Sequence, residues 1–212
     1  MHVPTDARPR QASGPGGLPS TSAAAPNALH QEAATQRGRL RGKAITPAHL
    51  LPSPTSPLGL ASYTGPGPAL WFSSCHGGSG ITTLITLIPA GMSSGQYWPA
   101  LDAPGQARVV LVARDHAAGL LAAQAATRQW AAGVLPNVRL LGLAVVADAP
   151  GKRPKPLNDL VRLIAGGLPQ VWELPWVEAL RLGEPPTQIK LPSAYSKLAN
   201  DLRRTVSEEA HA

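Results

Sequence analysis

From residue 69 onward, short apolar runs alternate with segments whose apolar residues recur every three or four positions. The runs predict strands at 69–73, 108–113, 139–147 and 171–174. The second and third runs are almost continuously apolar, which is typical of a parallel sheet covered on both faces. Helices are predicted after residue 80 as far as Pro89, and at about 116–132, 157–165 and 193–206. The pattern predicts an α/β fold with a compact, mostly parallel sheet and flanking helices.

The first 68 residues have a different composition from the rest of the chain. They hold eleven of the 23 prolines, whereas all five tryptophans lie beyond residue 68. Such a segment cannot bury enough apolar area to offset its chain entropy. We therefore predict a disordered Pro/Gly/Ala-rich tail at 1–68 and one domain at 69–208.

The tail also carries much of the charge. It supplies +4 of the formal net charge of +7, and its one dense basic run contains Arg37, Arg39, Arg41 and Lys43. Such a run predicts non-specific contact with DNA phosphates through counterion release. A solvated linker is the alternative.

Other classes of protein find little support in the sequence. No segment has the roughly 18 to 20 apolar residues that span a bilayer, and the first ten residues lack a secretory signal. A single cysteine, Cys75, excludes an internal disulfide framework and favours the cytoplasm. The histidines are scattered, and none shares metal-site spacing with Cys75.

The run WFSSCHGGSGITT, residues 71–83, joins the first predicted strand of the domain to a helix. Glycines at 77, 78 and 80 allow successive backbone N–H groups to curl around an anion, and the hydroxyl of Thr82 can ligate Mg²⁺. The alternative is a tight strand-to-helix turn with no ligand. Cys75 beside His76 could act as a nucleophile, although burial as a small apolar side chain is favoured.

This run resembles the deviant Walker A loop of the ParA/MinD family of P-loop ATPases. In that family the residues of this loop contact the nucleotide. The resemblance therefore implies nucleotide contacts for seven residues here: Ser74, His76, Gly77, Gly78, Gly80, Thr82 and Thr83. His76 occupies the position of the signature lysine, and Ile81 that of the second lysine. We expect the Ile81 side chain to pack against the sheet.

The acidic partner of such a loop has two candidates. Asp102 is preceded by Pro99, which argues against a central strand there. Asp148 directly follows the strand at 139–147, and its place in the chain resembles the base-recognition strand of the family. Asp148 is the candidate nucleotide or metal residue, with a loop-initiating aspartate as the alternative. Only eighteen residues separate Pro89 from Arg108, so the resemblance implies an abbreviated fold.

The loss of both lysines predicts a non-catalytic, pseudo-ATPase regulator or scaffold. The resemblance extends to actinobacterial proteins associated with plasmids and integrative conjugative elements, which implies a place in plasmid maintenance or conjugative transfer. ATP with Mg²⁺ is the candidate cofactor, against a nucleotide-free form. Two alternatives stay open: a weak ATPase completed by a second subunit of a homodimer, and a DNA-associated adaptor that uses the basic tail.

Overall fold

The computed structural model describes residues 58–65, 67–102 and 105–209. Seven strands lie in these residues: β1 (Gly59–Tyr63), β2 (Leu70–Ser74), β3 (Gly91–Ser93), β4 (Tyr97–Leu101), β5 (Ala107–Arg114), β6 (Val138–Val146) and β7 (Val171–Leu174). Five helices accompany them: α1 (Ile81–Leu87), α2 (Ala117–Ala131), α3 (Lys155–Ala165), α4 (Glu178–Arg181) and α5 (Ser193–Glu209). Within the described residues, no helix combines the length and the apolar character needed to cross a bilayer.

The main sheet has the strand order β3-β2-β5-β6-β7, and each neighbouring pair is parallel. β5 and β6 lie at its centre and are buried along most of their length, as their continuous apolar runs predict. Parallel neighbours need crossover connections, and helices supply most of them here. The predicted α/β class with a mostly parallel sheet and flanking helices is confirmed.

Two apolar clusters cover the two faces of this sheet. Alternate residues of β5 divide between them: Val109 and Leu111 face one cluster, and Val110 and Val112 face the other. Helices α2 and α3 close the first cluster, while α1 and α5 close the second, with Leu84 as the buried residue of α1. The result is a three-layer arrangement with helices on both faces of the sheet.

The predicted boundary at residue 68 is too late in the chain. β1, which we assigned to the tail, pairs in parallel with β4 from Gly59 to Tyr63. The amide of Gln129 donates to the carbonyl of Leu58 at 2.9 Å, and the rings of Tyr63 and Trp71 lie 4.3 Å apart. The polar, proline-rich composition of 1–68 gave no sign of this strand. A strand that pairs with a distant segment of the chain needs few apolar residues of its own. The predictions for residues 1–57, including the basic run, lie outside the described residues.

Strands β3 and β4 were also not predicted from the sequence. β4 contains Pro99, which we took as evidence against a central strand. The strand lies outside the main sheet and pairs with β1 alone in a two-stranded ribbon, where a missing N–H is tolerated. Trp98 of β4 is fully buried in the first cluster, and its indole N–H donates to Gln129 at 2.8 Å. The eighteen residues after Pro89 therefore hold two short strands.

Candidate functional site

The glycine loop, residues 75–80, connects β2 to α1 at the carboxyl edge of the sheet. Gly78 and Gly80 have φ of 73° and 94°, a left-handed conformation that side chains other than glycine rarely adopt. The hydroxyl of Ser74, at the end of β2, donates to the carbonyl of His76 at 2.5 Å and lies 2.7 Å from the hydroxyl of Ser79. Ser74 and Ser79 are both buried, so this pair of hydroxyls holds the loop against the end of β2.

His76 bonds to the protein through both of its ring nitrogens. Its Nε2 accepts from the backbone N–H of Arg114 at 2.9 Å, so Nδ1 carries the proton and donates to the carbonyl of Gly77 at 2.8 Å. Burial lowers the pKa of His76; the Gly77 bond opposes this effect, and the charges of His116 and Arg114 reinforce it. A neutral ring that ties the loop to β5 leaves no cation at the signature-lysine position.

Ile81 is half-buried and packs against the second apolar cluster, as expected. The two threonines after it differ in their surroundings. Thr82 is exposed, while Thr83 is partly buried and lines a cavity beside Gly80. No group of three or more histidine, cysteine, aspartate or glutamate residues within the described ranges could hold a metal ion. The described residues therefore offer no cluster of acidic ligands to a Mg²⁺ ion at Thr82.

Arg114 is the functional candidate that the sequence analysis missed. It ends β5, and its Nε donates to the carbonyl of Gly78 at 3.2 Å while Nη1 donates to the carbonyl of Ala147 at 3.0 Å. A guanidinium has five N–H donors, so three remain. The signal was present in the sequence: Arg114 closes a predicted parallel strand, and the carboxyl ends of neighbouring parallel strands meet at one edge of the sheet.

A cavity of about 130 Å³ lies between the loop, β6 and the segment around α4. Arg114 and Arg181 are the two cations that line it, together with Gly80, Thr83 and Tyr195. Arg181 is exposed and has no ion pair within the part of the chain that the structure describes. We call this space the arginine cavity.

Asp148 lies in a second space, a cleft of about 670 Å³ at the carboxyl ends of β5, β6 and β7. The structure places Gly80 and Thr83 in the arginine cavity and the exposed Asp148 in this strand-end cleft. The negative charge of Asp148 still acts on the loop, because it raises the pKa of His76 and so opposes the effect of burial. Three of the eight predicted site residues therefore line these two spaces, and the other five line neither of them.

Cys75 and Asp115, which flank the site, both serve the structure of the protein. Cys75 is buried, and burial raises the pKa of its thiol to about 12, which argues against a nucleophilic role. The N-terminal cap of α2 is His116, whose Nδ1 accepts from the N–H of Gly119 at 3.0 Å. Asp115 is held elsewhere: its Oδ2 accepts from Arg153 Nε at 2.5 Å.

A family model of unknown function, DUF6668, matches residues 68–193, which is more than half of the chain. The chain belongs to the DUF6668 family. The match spans β2 to the start of α5 and thus includes the glycine loop, Arg114, the lining of the strand-end cleft and the lining of the arginine cavity except Tyr195. No curated protein matches the chain. Membership of DUF6668 does not bear on the likeness to ParA/MinD ATPases, which stays a prediction.

Proposed function

We propose that this DUF6668 domain is a non-catalytic regulator or scaffold that holds a phosphate-sized anion in the arginine cavity. One observation carries the proposal. The residues at both lysine positions of the loop belong to the internal structure: His76 bonds through both nitrogens, and Ile81 packs on the apolar cluster. The glycine loop keeps its shape without the charges that phosphoryl transfer uses.

The missing charges have a large expected effect on catalysis. Removal of one preorganised donor to a transition state costs about 3 to 4 kcal/mol in well-studied enzymes, and two cationic positions are lost here. Arg114 supplies a cation to the loop from its own chain, but two of its donors are bonded to backbone carbonyls. This arrangement supports binding more than hydrolysis.

The arginine cavity suits an inorganic phosphate or the terminal phosphate of a nucleotide. Its volume of about 130 Å³ is small for a complete nucleotide, so a nucleotide would extend beyond it. Arg114, Arg181 and Thr83 all line this space, and Arg181 has no ion pair among the described residues. Planar guanidinium groups match phosphate geometry well.

The wider setting stays a prediction. The role in plasmid maintenance or conjugative transfer rests on the resemblance. The cytoplasmic location rests on the presence of a single cysteine, Cys75. The alternative of an ATPase completed by a second subunit requires a homodimer that supplies a cation. The DNA-adaptor alternative depends on Arg37 and its basic neighbours, outside the described residues, and salt-dependent DNA binding by full-length protein tests it.

Isothermal calorimetry tests the proposed anion site. The full chain is titrated with inorganic phosphate, ATP, ADP and GTP, the nucleotides with Mg²⁺. Arg181→Gln should weaken binding, whereas Arg128→Gln should leave it unchanged, because Arg128 is an exposed residue of α2 that lines neither space. Absence of binding by wild type and by Ile81→Lys would remove the phosphate site from the proposal.

A further inference from the structure

The strand-end cleft differs from the arginine cavity in size and in charge. It is about five times as large, and its ionisable lining consists of three carboxylates, Asp115, Asp148 and Glu173, and two cations, Lys152 and Arg153. A volume of about 670 Å³ lies within the usual range for small-ligand sites. The formal charge of this lining is −1, so a cation is the complementary ligand.

Arg153 does not act as a free cation in this cleft. Its Nε donates to Asp115 at 2.5 Å, and its Nη1 donates to Glu173 at 2.8 Å and to the amide oxygen of Asn158 at 3.2 Å. Its side chain is only 12% exposed. The structure uses the Arg153 guanidinium to bridge two carboxylates. Lys152 is the cation of the lining that remains exposed.

One oxygen of Asp115 has no partner. The side chain is 9% exposed, and its Oδ1 is the one buried side-chain polar atom of the described residues without a hydrogen bond. Buried carboxylate oxygens are normally satisfied, because an unmade bond leaves the loss of hydration uncompensated. The backbone N–H of Asp115 bonds to the carbonyl of Val146 at 2.9 Å, which holds the residue at the end of β5.

We propose that the strand-end cleft binds a guanidinium group, which donates to Oδ1 of Asp115 beside the internal guanidinium of Arg153. A guanidinium presents several N–H donors in one plane, and it sheds its hydration more readily than an ammonium does. Trp176 also lines the cleft, and an indole is the preferred aromatic partner of a cation. Because Oδ1 has almost no contact with solvent, a ligand in the cleft reaches it only if the Arg153 side chain shifts, and that shift is part of the proposal.

Two sources carry this group: a small free guanidine and an arginine side chain of a polypeptide. Calorimetry on the full chain with agmatine and with N-acetylarginine amide distinguishes them, since the tighter ligand identifies the source. We expect binding of at least one of the two at up to about 10 mM, a range that covers the weak affinity of single small ligands. No binding of either by wild type overturns the proposal and leaves Asp115 satisfied by water.

Two variants locate the binding. Asp115→Asn should weaken it more than tenfold, and thermal unfolding checks that this variant still folds. Asp148→Lys changes an exposed position and should weaken binding about tenfold through charge alone. Glu208→Lys makes the same charge change on α5, away from the cleft, and should have little effect. Equal binding by wild type and Asp148→Lys places the ligand elsewhere and contradicts the proposal. The phosphate titrations test the arginine cavity separately.

Discussion

At the glycine loop, the polar side chains of His76, Ser79 and the preceding Ser74 all bond within the chain. In the neighbouring strand-end cleft, one oxygen of Asp115 has no partner among the described residues. Both regions lie at the carboxyl edge of the same sheet. The loop therefore uses its polar side chains for structure, and left-handed glycines at 78 and 80 set its backbone. The cleft keeps an unused polar group, which is the stronger indication of a ligand.

The largest expected effect is on the reactivity of the Cys75 thiol, at the first residue of the glycine loop. A pKa of about 12 for Cys75, against the usual 9.0, lowers the thiolate fraction at pH 8 about a thousandfold. We expect iodoacetamide to react with the native protein at least a thousandfold more slowly than with the protein unfolded in guanidinium chloride. A control cysteine at exposed position 82, made by Thr82→Cys with Cys75→Ala, should react quickly in the native state. Rapid reaction of native Cys75 would show that the loop opens.

The next effect tests the anchoring of His76. A Cβ at Gly119 would lie 2.5 Å from the carbonyl oxygen of Arg114 and 2.7 Å from Nε2 of His76. Gly119→Ala should therefore lower the free energy of unfolding by about 1 to 3 kcal/mol, as overpacking of a close-packed site does. Gly77→Ala is the matched control, since its Cβ meets nothing within 4 Å. Chemical denaturation measures both, and equal stability of the two variants would mean that the His76 contact is dispensable.

A smaller effect is the dependence of stability on pH. The pKa of His76 is lowered in the folded state, so below about pH 6.5 the unfolded chain binds more protons at this residue than the folded one. Its contribution to stability is complete above pH 6.5 and falls as the pH drops toward the lowered value. The melting temperature should decline from pH 7 to pH 5 more steeply in wild type than in His76→Gln. Parallel declines would contradict the neutral, doubly bonded histidine.

Periodicity was sufficient for four of the five strands of the main sheet, and most clearly for β5 and β6, because these two are long, buried and continuously apolar. It missed β3, an edge strand of only three residues. It failed for β1 and β4, whose pairing joins residues far apart in the chain and needs little apolar character of its own. The same limit applied to the site. The glycines and the packing of Ile81 could be predicted from local sequence. The bond between His76 and Arg114 could not, since it joins residues that only the fold brings together.

The central claim, that the loop is non-catalytic, is tested most directly by single-turnover hydrolysis of ATP with Mg²⁺. Wild-type protein in excess over ATP is compared with Thr82→Ala at two protein concentrations, so that a reaction requiring two subunits would also be seen. We predict phosphate release no faster from wild type than from Thr82→Ala, at either concentration. Release by wild type that needs Mg²⁺ and is lost in Thr82→Ala would contradict the account.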